Sequence, residues 1–139
     1  MWDQLTWNQR FGYLFGAVYI VVGLAGFAVT GGVDFAASRG DELIVFEVNP
    51  LHNLVHIAVG GLLVLGAAGG ASAARGVNGL VGATYLVVGI VGLFMVGESW
   101  NFLALNHPDN ALHFASALLA LGVSLWKEPV GNRRQVEAA

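Results

Sequence analysis

The sequence predicts an all-α integral membrane protein, a four-helix bundle made of two parallel-related helix-loop-helix repeats. Three observations carry this expectation. The 139 residues are 56% hydrophobic and only 11% charged, against roughly 25% charged in an average soluble domain. Four stretches, 11–30, 51–74, 76–97 and 110–126, hold no Asp, Glu, Lys or Arg, and a helix needs about 20 apolar residues to cross a bilayer. The segment GAVYIVVGLAGF (16–27) returns almost residue for residue as GATYLVVGIVGL (82–93), the mark of a duplicated unit.

Taken in chain order, MWDQLTWNQRF interleaves Trp2, Trp7 and Phe11 with polar residues and reads as a lead-in at the membrane interface, where aromatic rings prefer to lie. The first span is too long for the apolar region of a signal peptide, about 7–15 residues, and FAVTGG is a poor cleavage site, so it is read as an anchor. The loop 31–48 ends in ELIVFEV, expected to lie at the outer surface or to fold over the bundle top. The second span starts at Asn49-Pro50, the third follows Arg75, and the shorter loop ESWNFLAL (98–105) leads to the fourth. Residues 1–126 therefore form a single transmembrane domain and 127–139 a cytoplasmic tail.

Arg10, Arg75, Lys127, Arg133 and Arg134 fall on one side of the spans and only Arg39 on the other, which places both termini in the cytoplasm of a plasma-membrane protein. The outer loops are acidic, with Asp34, Asp41, Glu42, Glu47, Glu98 and Asp109. There is no cysteine, which excludes disulfides and thiolate metal sites. No basic patch points to nucleic acid and no phosphate-binding loop is present, so the partners expected are the lipid bilayer and other membrane proteins or a second copy of the chain.

Polar residues gather at the outer starts of the second and fourth spans. NPLHNLVH (49–56) aligns with NHPDNALH (106–113), pairing Asn49 with Asn106, His52 with Asp109, Asn53 with Asn110 and His56 with His113. Asn49 and Asn106 are placed to cap helices whose first turns contain Pro50 and Pro108, and Asp109 faces the positive end of its helix dipole. Asn49, Asn53 and His56 share one helix face, as do Asn106, Asn110 and His113. Unpaired amides and imidazoles in hydrocarbon cost several kcal/mol each, so these stripes are expected to face inward and, if the second and fourth helices pack together, to meet each other.

Two readings of this cluster stay open. In one, the residues hydrogen-bond between the halves and hold them together. In the other they bind a ligand: His52 and His56, four apart on a helix, with Asp109 and His113, make a nitrogen and oxygen set suited to zinc or a similar divalent metal, and imidazoles from both helices can instead serve haem or another tetrapyrrole. Catalysis is not expected, since no Ser or Cys nucleophile and no carboxylate pair stands beside these histidines. His107 is read as solvated, and Ser116 and Ser124 as serines bonded to their own helix backbone. Tyr19 and Tyr85 are read as packing or hydrogen-bonding residues rather than redox groups.

FEVNPLHNLVH (46–56) and LNHPDNALH (105–113) resemble the paired motifs of the domain-of-unknown-function 4383 family, small four-helix membrane proteins of actinobacteria and other bacteria. The resemblance extends over roughly 11–126 and implies the membrane fold and the repeat; it implies no activity. The functional expectation is a non-enzymatic accessory or structural subunit whose outer Asn/His cluster pins the repeats together and can receive a ligand. The alternative is a metal- or haem-binding membrane protein with a redox or transport role.

Overall fold

The computed structural model describes residues 2–126; the expected tail, with Lys127, Pro129, Gly131, Arg133 and Arg134, lies outside the described residues. After a 3-10 turn at Trp2–Gln4 come four helices, α1 (Trp7–Gly26), α2 (Pro50–Ala68), α3 (Ala71–Met95) and α4 (His107–Leu125). The loop between α1 and α2 adds a short antiparallel hairpin, β1 (Asp41–Leu43) paired with β2 (Phe46–Val48), Glu42 opposite Glu47. The segment expected to lie over the bundle top thus has a structure of its own, and the described residues are all-helical apart from it and the connecting turns and loops.

α1, α2 and α4 start where side chains can satisfy their free backbone N–H groups, whereas α3 follows Gly70 without a side-chain cap. Thr6 caps α1: its Oγ1 accepts from the Gln9 N–H at 3.2 Å, and Gln9 Oε1 accepts from the Thr6 N–H at 3.1 Å, a reciprocal capping box. This Thr-x-x-Gln signal places the helix start four residues before the charge-free stretch that begins at Phe11. Asn49 caps α2 and Asn106 caps α4, each with proline in the first turn. The turn between α2 and α3 falls at Gly69-Gly70, with Gly70 at φ +100°, a conformation natural to glycine. α3 therefore begins ahead of Arg75, which sits in its first turns rather than in the connection.

The helices pair as hairpins, α1 with α2 and α3 with α4, and α1 and α3 approach each other across the centre. Glycines allow the close approach within each hairpin. A Cβ on Gly16 would lie 2.7 Å from the carbonyl oxygen of Gly60, and one on Gly82 2.8 Å from the backbone nitrogen of Leu121. Nearer the N-terminal ends of α2 and α4 the side chain of Asn53 occupies the space that a Cβ on Gly26 would need, and Asn110 does the same at Gly92. α2 and α4 are thereby drawn onto their own hairpin partners, so they do not pack on each other as the sequence led us to expect.

Polarity runs from inside to outside. Leu65, Phe94, Leu118 and Leu125 are each at least 70% exposed, whereas Asn49, His52, Asn53, His56, Asn78, Asn110 and His113 are buried. Three of the helices, α1, α2 and α3, are long and apolar enough to cross a membrane. α4 misses that standard because its first three turns carry His107, Asp109, Asn110, His113 and Ser116.

The Gly26 and Gly92 contacts make a direct prediction. Gly26→Ala and Gly92→Ala should each lower stability by about 1–3 kcal/mol, the usual cost of forcing a methyl into a filled site. Gly61→Ala, which points into open space, should cost nothing. Thermal unfolding in one detergent compares the three.

Candidate functional site

The N-terminal ends of α2 and α4 are built from asparagine because the work there needs both an acceptor and donors. Asn49 Oδ1 accepts from the His52 N–H at 2.8 Å, while its Nδ2 donates to the carbonyls of Ala37 and Phe102, both at 2.9 Å. Asn106 Oδ1 accepts from the Asp109 N–H at 3.0 Å, and its Nδ2 donates to Val45 O at 2.9 Å. Each cap therefore reaches the loop of the opposite hairpin. A serine or aspartate would cap equally well but has no amide to donate.

Asn101 shapes the second loop for this purpose. Its Nδ2 donates to Leu105 O and its Oδ1 accepts from the Leu105 N–H, both at 2.9 Å, and the closed segment between presents Phe102 O to Asn49 and Leu103 O to His52. His52 Nδ1 lies 2.9 Å from Leu103 O, and His52 Nε2 lies 3.0 Å from His56 Nε2. A carbonyl accepts only, so His52 Nδ1 carries a proton. With both rings neutral, His52 Nε2 is then bare and His56 Nε2 donates to it. His56 Nδ1 is left as a bare acceptor, and it has no partner.

From His56 a row of rings crosses the middle of the bundle. His56 stacks on Tyr19 with centroids 5.1 Å apart, Tyr19 lies 5.5 Å from Tyr85, and Tyr85 lies 5.2 Å from His113. The two histidine stripes do not meet, contrary to the packing expected from the sequence. The tyrosines stand between them, because the glycine contacts hold α2 against α1 and α4 against α3. The direct bond between hairpins at this level runs from Tyr19 Oη to Ser116 Oγ at 2.7 Å. Ser116 thus reaches across to α1, where the sequence suggested a bond to its own backbone; Ser124 does make that bond, to Leu121 O at 2.8 Å.

The two hairpins differ one turn from their caps. Asn53 Nδ2 donates to Thr30 Oγ1 at 3.0 Å, and Thr30 in turn donates to Gly26 O at 3.1 Å. Continuing the pairing of 16–27 with 82–93 sets Val96 where Thr30 stands, and Asn110 has neither its Oδ1 nor its Nδ2 bonded. His113 Nδ1 is likewise without a partner. Asp109 is buried, but its carboxylate accepts from the Asn106 N–H at 3.0 Å as part of the α4 capping box. Of the four metal-ligand candidates, His52 and His56 are brought together; among the described residues no group of three or more His, Cys, Asp and Glu converges. His107 is exposed at the start of α4.

A second polar layer, which the sequence did not single out, lies at the other end. Asn78 Nδ2 donates to Asn8 O at 3.0 Å and Asn8 Oδ1 at 2.9 Å, Asn8 Nδ2 donates to Val123 O at 3.0 Å, and Gln9 Nε2 donates to Ala67 O at 3.2 Å. Asn78 interrupts an otherwise apolar face of α3, and a lone amide inside a charge-free stretch was the available signal.

A family model described as a domain of unknown function (DUF4383) matches residues 9–126. The chain belongs to the DUF4383 family. The match spans all four helices of this DUF4383 protein and both histidine motifs. No curated protein and no solved structure matches it.

Asn49→Ser separates capping from clasping. It should keep the start of α2 yet lower stability by about 1–2 kcal/mol through the loss of two donated bonds, and protease should cut the loops around 37–45 and 101–104 faster. Equal stability and equal cleavage would show that the amide serves only the cap.

Proposed function

We propose that this DUF4383 protein is a non-enzymatic integral membrane protein, an accessory or structural subunit, in which a buried polar core joins two parallel helical hairpins of common design. The observation that carries this reading is the reversed polarity of the bundle, leucines and phenylalanines outside and asparagines and histidines inside. Such a surface is costly in water and natural in lipid. α4, 19 residues and about 28 Å long at 1.5 Å per residue, is taken as the fourth span, since its exposed residues include Leu112, Leu118, Leu119 and Leu125. The excess of Arg and Lys at one end puts both termini in the cytoplasm.

Within that setting the core has a plain mechanical role. Apolar helix faces gain nothing by leaving lipid for one another, so close packing and interhelical hydrogen bonds hold membrane helices together. Here three layers cross between the hairpins: the Asn49 and Asn106 clasps, the Tyr19–Ser116 bond beside the ring row, and the Asn8–Asn78 bonds at the other end.

One observation favours a second reading. The 3.0 Å between the Nε2 atoms of His52 and His56 is close to the spacing of about 3.3 Å between two nitrogens on one tetrahedral zinc. A divalent ion would take the place of the shared proton, with ligands beyond this pair still needed. A haem held by His56 and His113 together fits poorly, because the rings of Tyr19 and Tyr85 fill the space between them.

A double-mutant cycle on Tyr19→Phe and Ser116→Ala, read by unfolding in detergent, should give a coupling of about 0.5–1.5 kcal/mol. Strict additivity would show that the cluster does not join the hairpins. Elemental analysis of protein purified without chelator separates the two readings: the hydrogen-bonded pair gives a metal-free protein, whereas equimolar zinc that vanishes in His56→Ala would establish the metal centre.

A further inference from the structure

One flank of the bundle is closed and the other is open. α2 and α3 pack along the turn that joins them, with Val77 against Gly66, whereas α1 and α4 touch sparsely. The repeat explains the difference. Extending the pairing of 16–27 with 82–93 sets Phe11 at the place of Val77, and extending that of 49–56 with 106–113 sets Val123 at the place of Gly66. Bulk therefore stands on α4 where α2 has a glycine, and the close approach that a glycine allows is lost on this flank.

The seam left between α1 and α4 holds two hollows. Near the start of α1 and the end of α4, Trp7 faces Gly122, Val123 and Trp126 around about 300 Å³. Farther along, Phe15, Val18 and Val22 of α1 and Leu112 of α4 border about 110 Å³. Trp7, Phe11, Phe15, Val18 and Val22 recur at helical spacing, so they share one face of α1 and both hollows belong to one furrow. Both linings are apolar, and Trp7, Val18, Leu112 and Trp126 are exposed, so the furrow opens sideways. A hydrocarbon chain laid in it gains by close contact, the term that counts inside a bilayer. From Trp7 to Val18 the furrow runs about 17 Å at 1.5 Å per residue, close to the roughly 15 Å that one leaflet gives to a hydrocarbon core of about 30 Å.

One end of the furrow is marked for a headgroup. The Arg10 guanidinium stands over the Trp7 ring, 5.0 Å from its centroid. Its Nε donates to Leu5 O at 3.1 Å and its Nη2 to Asp3 O at 3.2 Å. Both acceptors are neutral carbonyls, so these bonds leave the positive charge uncompensated, and a guanidinium has five N–H groups to give. Phosphate is the anion that such a fork suits, and the rings of Trp7 and Trp126 suit the headgroup level beside it. A second copy of the chain seated here about a twofold axis would bring its own Arg10 to the same depth, like charge toward like charge. A lipid phosphate is the better complement.

We propose that the furrow between α1 and α4 binds one anionic phospholipid of the cytoplasmic leaflet, its acyl chain along Trp7, Phe15 and Val18 and its phosphate at Arg10. The proposal rests on the membrane reading of the bundle given above. It makes the lipid the filler of the flank that the second hairpin leaves open.

The test releases the full chain from nanodiscs of equal dioleoyl phosphatidylglycerol and dioleoyl phosphatidylcholine into a mass spectrometer and counts the lipids it keeps. The expected result is one retained phosphatidylglycerol per chain, favoured over phosphatidylcholine by about tenfold. Gly122→Leu, whose side chain enters open space in the furrow, should cut retention of both lipids by about tenfold. Arg10→Gln should keep a lipid but erase the preference. Gly76→Leu, equally open in space but on α3, should behave as the wild type. Equal retention of the two lipids by the wild type, indifference to Gly122→Leu, or the same loss in Gly76→Leu would each overturn the proposal. Lipid-free dimers that Gly122→Leu takes apart would overturn it too, and would assign the furrow to a second copy. A chain that enters nanodiscs and keeps no phosphatidylglycerol refutes this site alone, whereas a chain that does not enter them refutes the membrane reading with it.

Discussion

The rule that a polar group in apolar surroundings has to find a partner organises this molecule more than any single contact does. Helix ends expose backbone N–H groups, and in a bundle with a leucine-rich outside no water is at hand inside to satisfy them. The chain answers with side chains that have two ends. Asn49 and Asn106 accept from their own helices and donate to the opposite loop. Thr6 and Gln9 cap α1 reciprocally, and Gln9 Nε2 also donates to Ala67 O at the end of α2, within the same hairpin. At these three helix starts the residues that cap also fasten a neighbouring segment.

Close helix approach and buried amides depend on each other. Gly26 and Gly92 leave room for the amides of Asn53 and Asn110, which in turn fill what would be voids along α1 and α3. That exchange sets the lateral order of the bundle and puts Tyr19 and Tyr85 at its centre. The ring row from His56 to His113 follows from it, as does the separation of the two histidine stripes. The second hairpin is the less settled of the two: with Val96 in place of a threonine, Asn110 is buried and unbonded. Unsatisfied groups collect beside the ring row, at His56, Asn110 and His113, which marks this layer as the place where a ligand would gain most.

Much of the fold could be read in the residues. Charge-free stretches located the helices, and Asn-Pro and Asn-His-Pro marked two starts, because capping is local chemistry with a fixed spacing. The Gly69-Gly70 turn is less legible, since Arg75 looks like the end of a span whereas α3 runs straight through it. Thr6 and Gln9 carry a capping signal that, set among tryptophans, looks like interfacial polarity. The partners of Ser116, Asn78 and Asn101 could not be read at all, because each bond joins segments whose proximity depends on helix packing, and packing was decided by glycine faces rather than by the polar stripe.

The central claim is that this polar core lies inside a bilayer with the Asn49 and Asn106 caps outward. The chain has no cysteine, so single cysteines at Ala36, Ser72 and Leu118, all exposed, report the surroundings directly. In intact cells a membrane-impermeant maleimide should label Ala36→Cys, should reach Ser72→Cys only after the membrane is opened, and should leave Leu118→Cys unlabelled in both conditions. Labelling of Leu118→Cys as readily as Ala36→Cys would contradict the account.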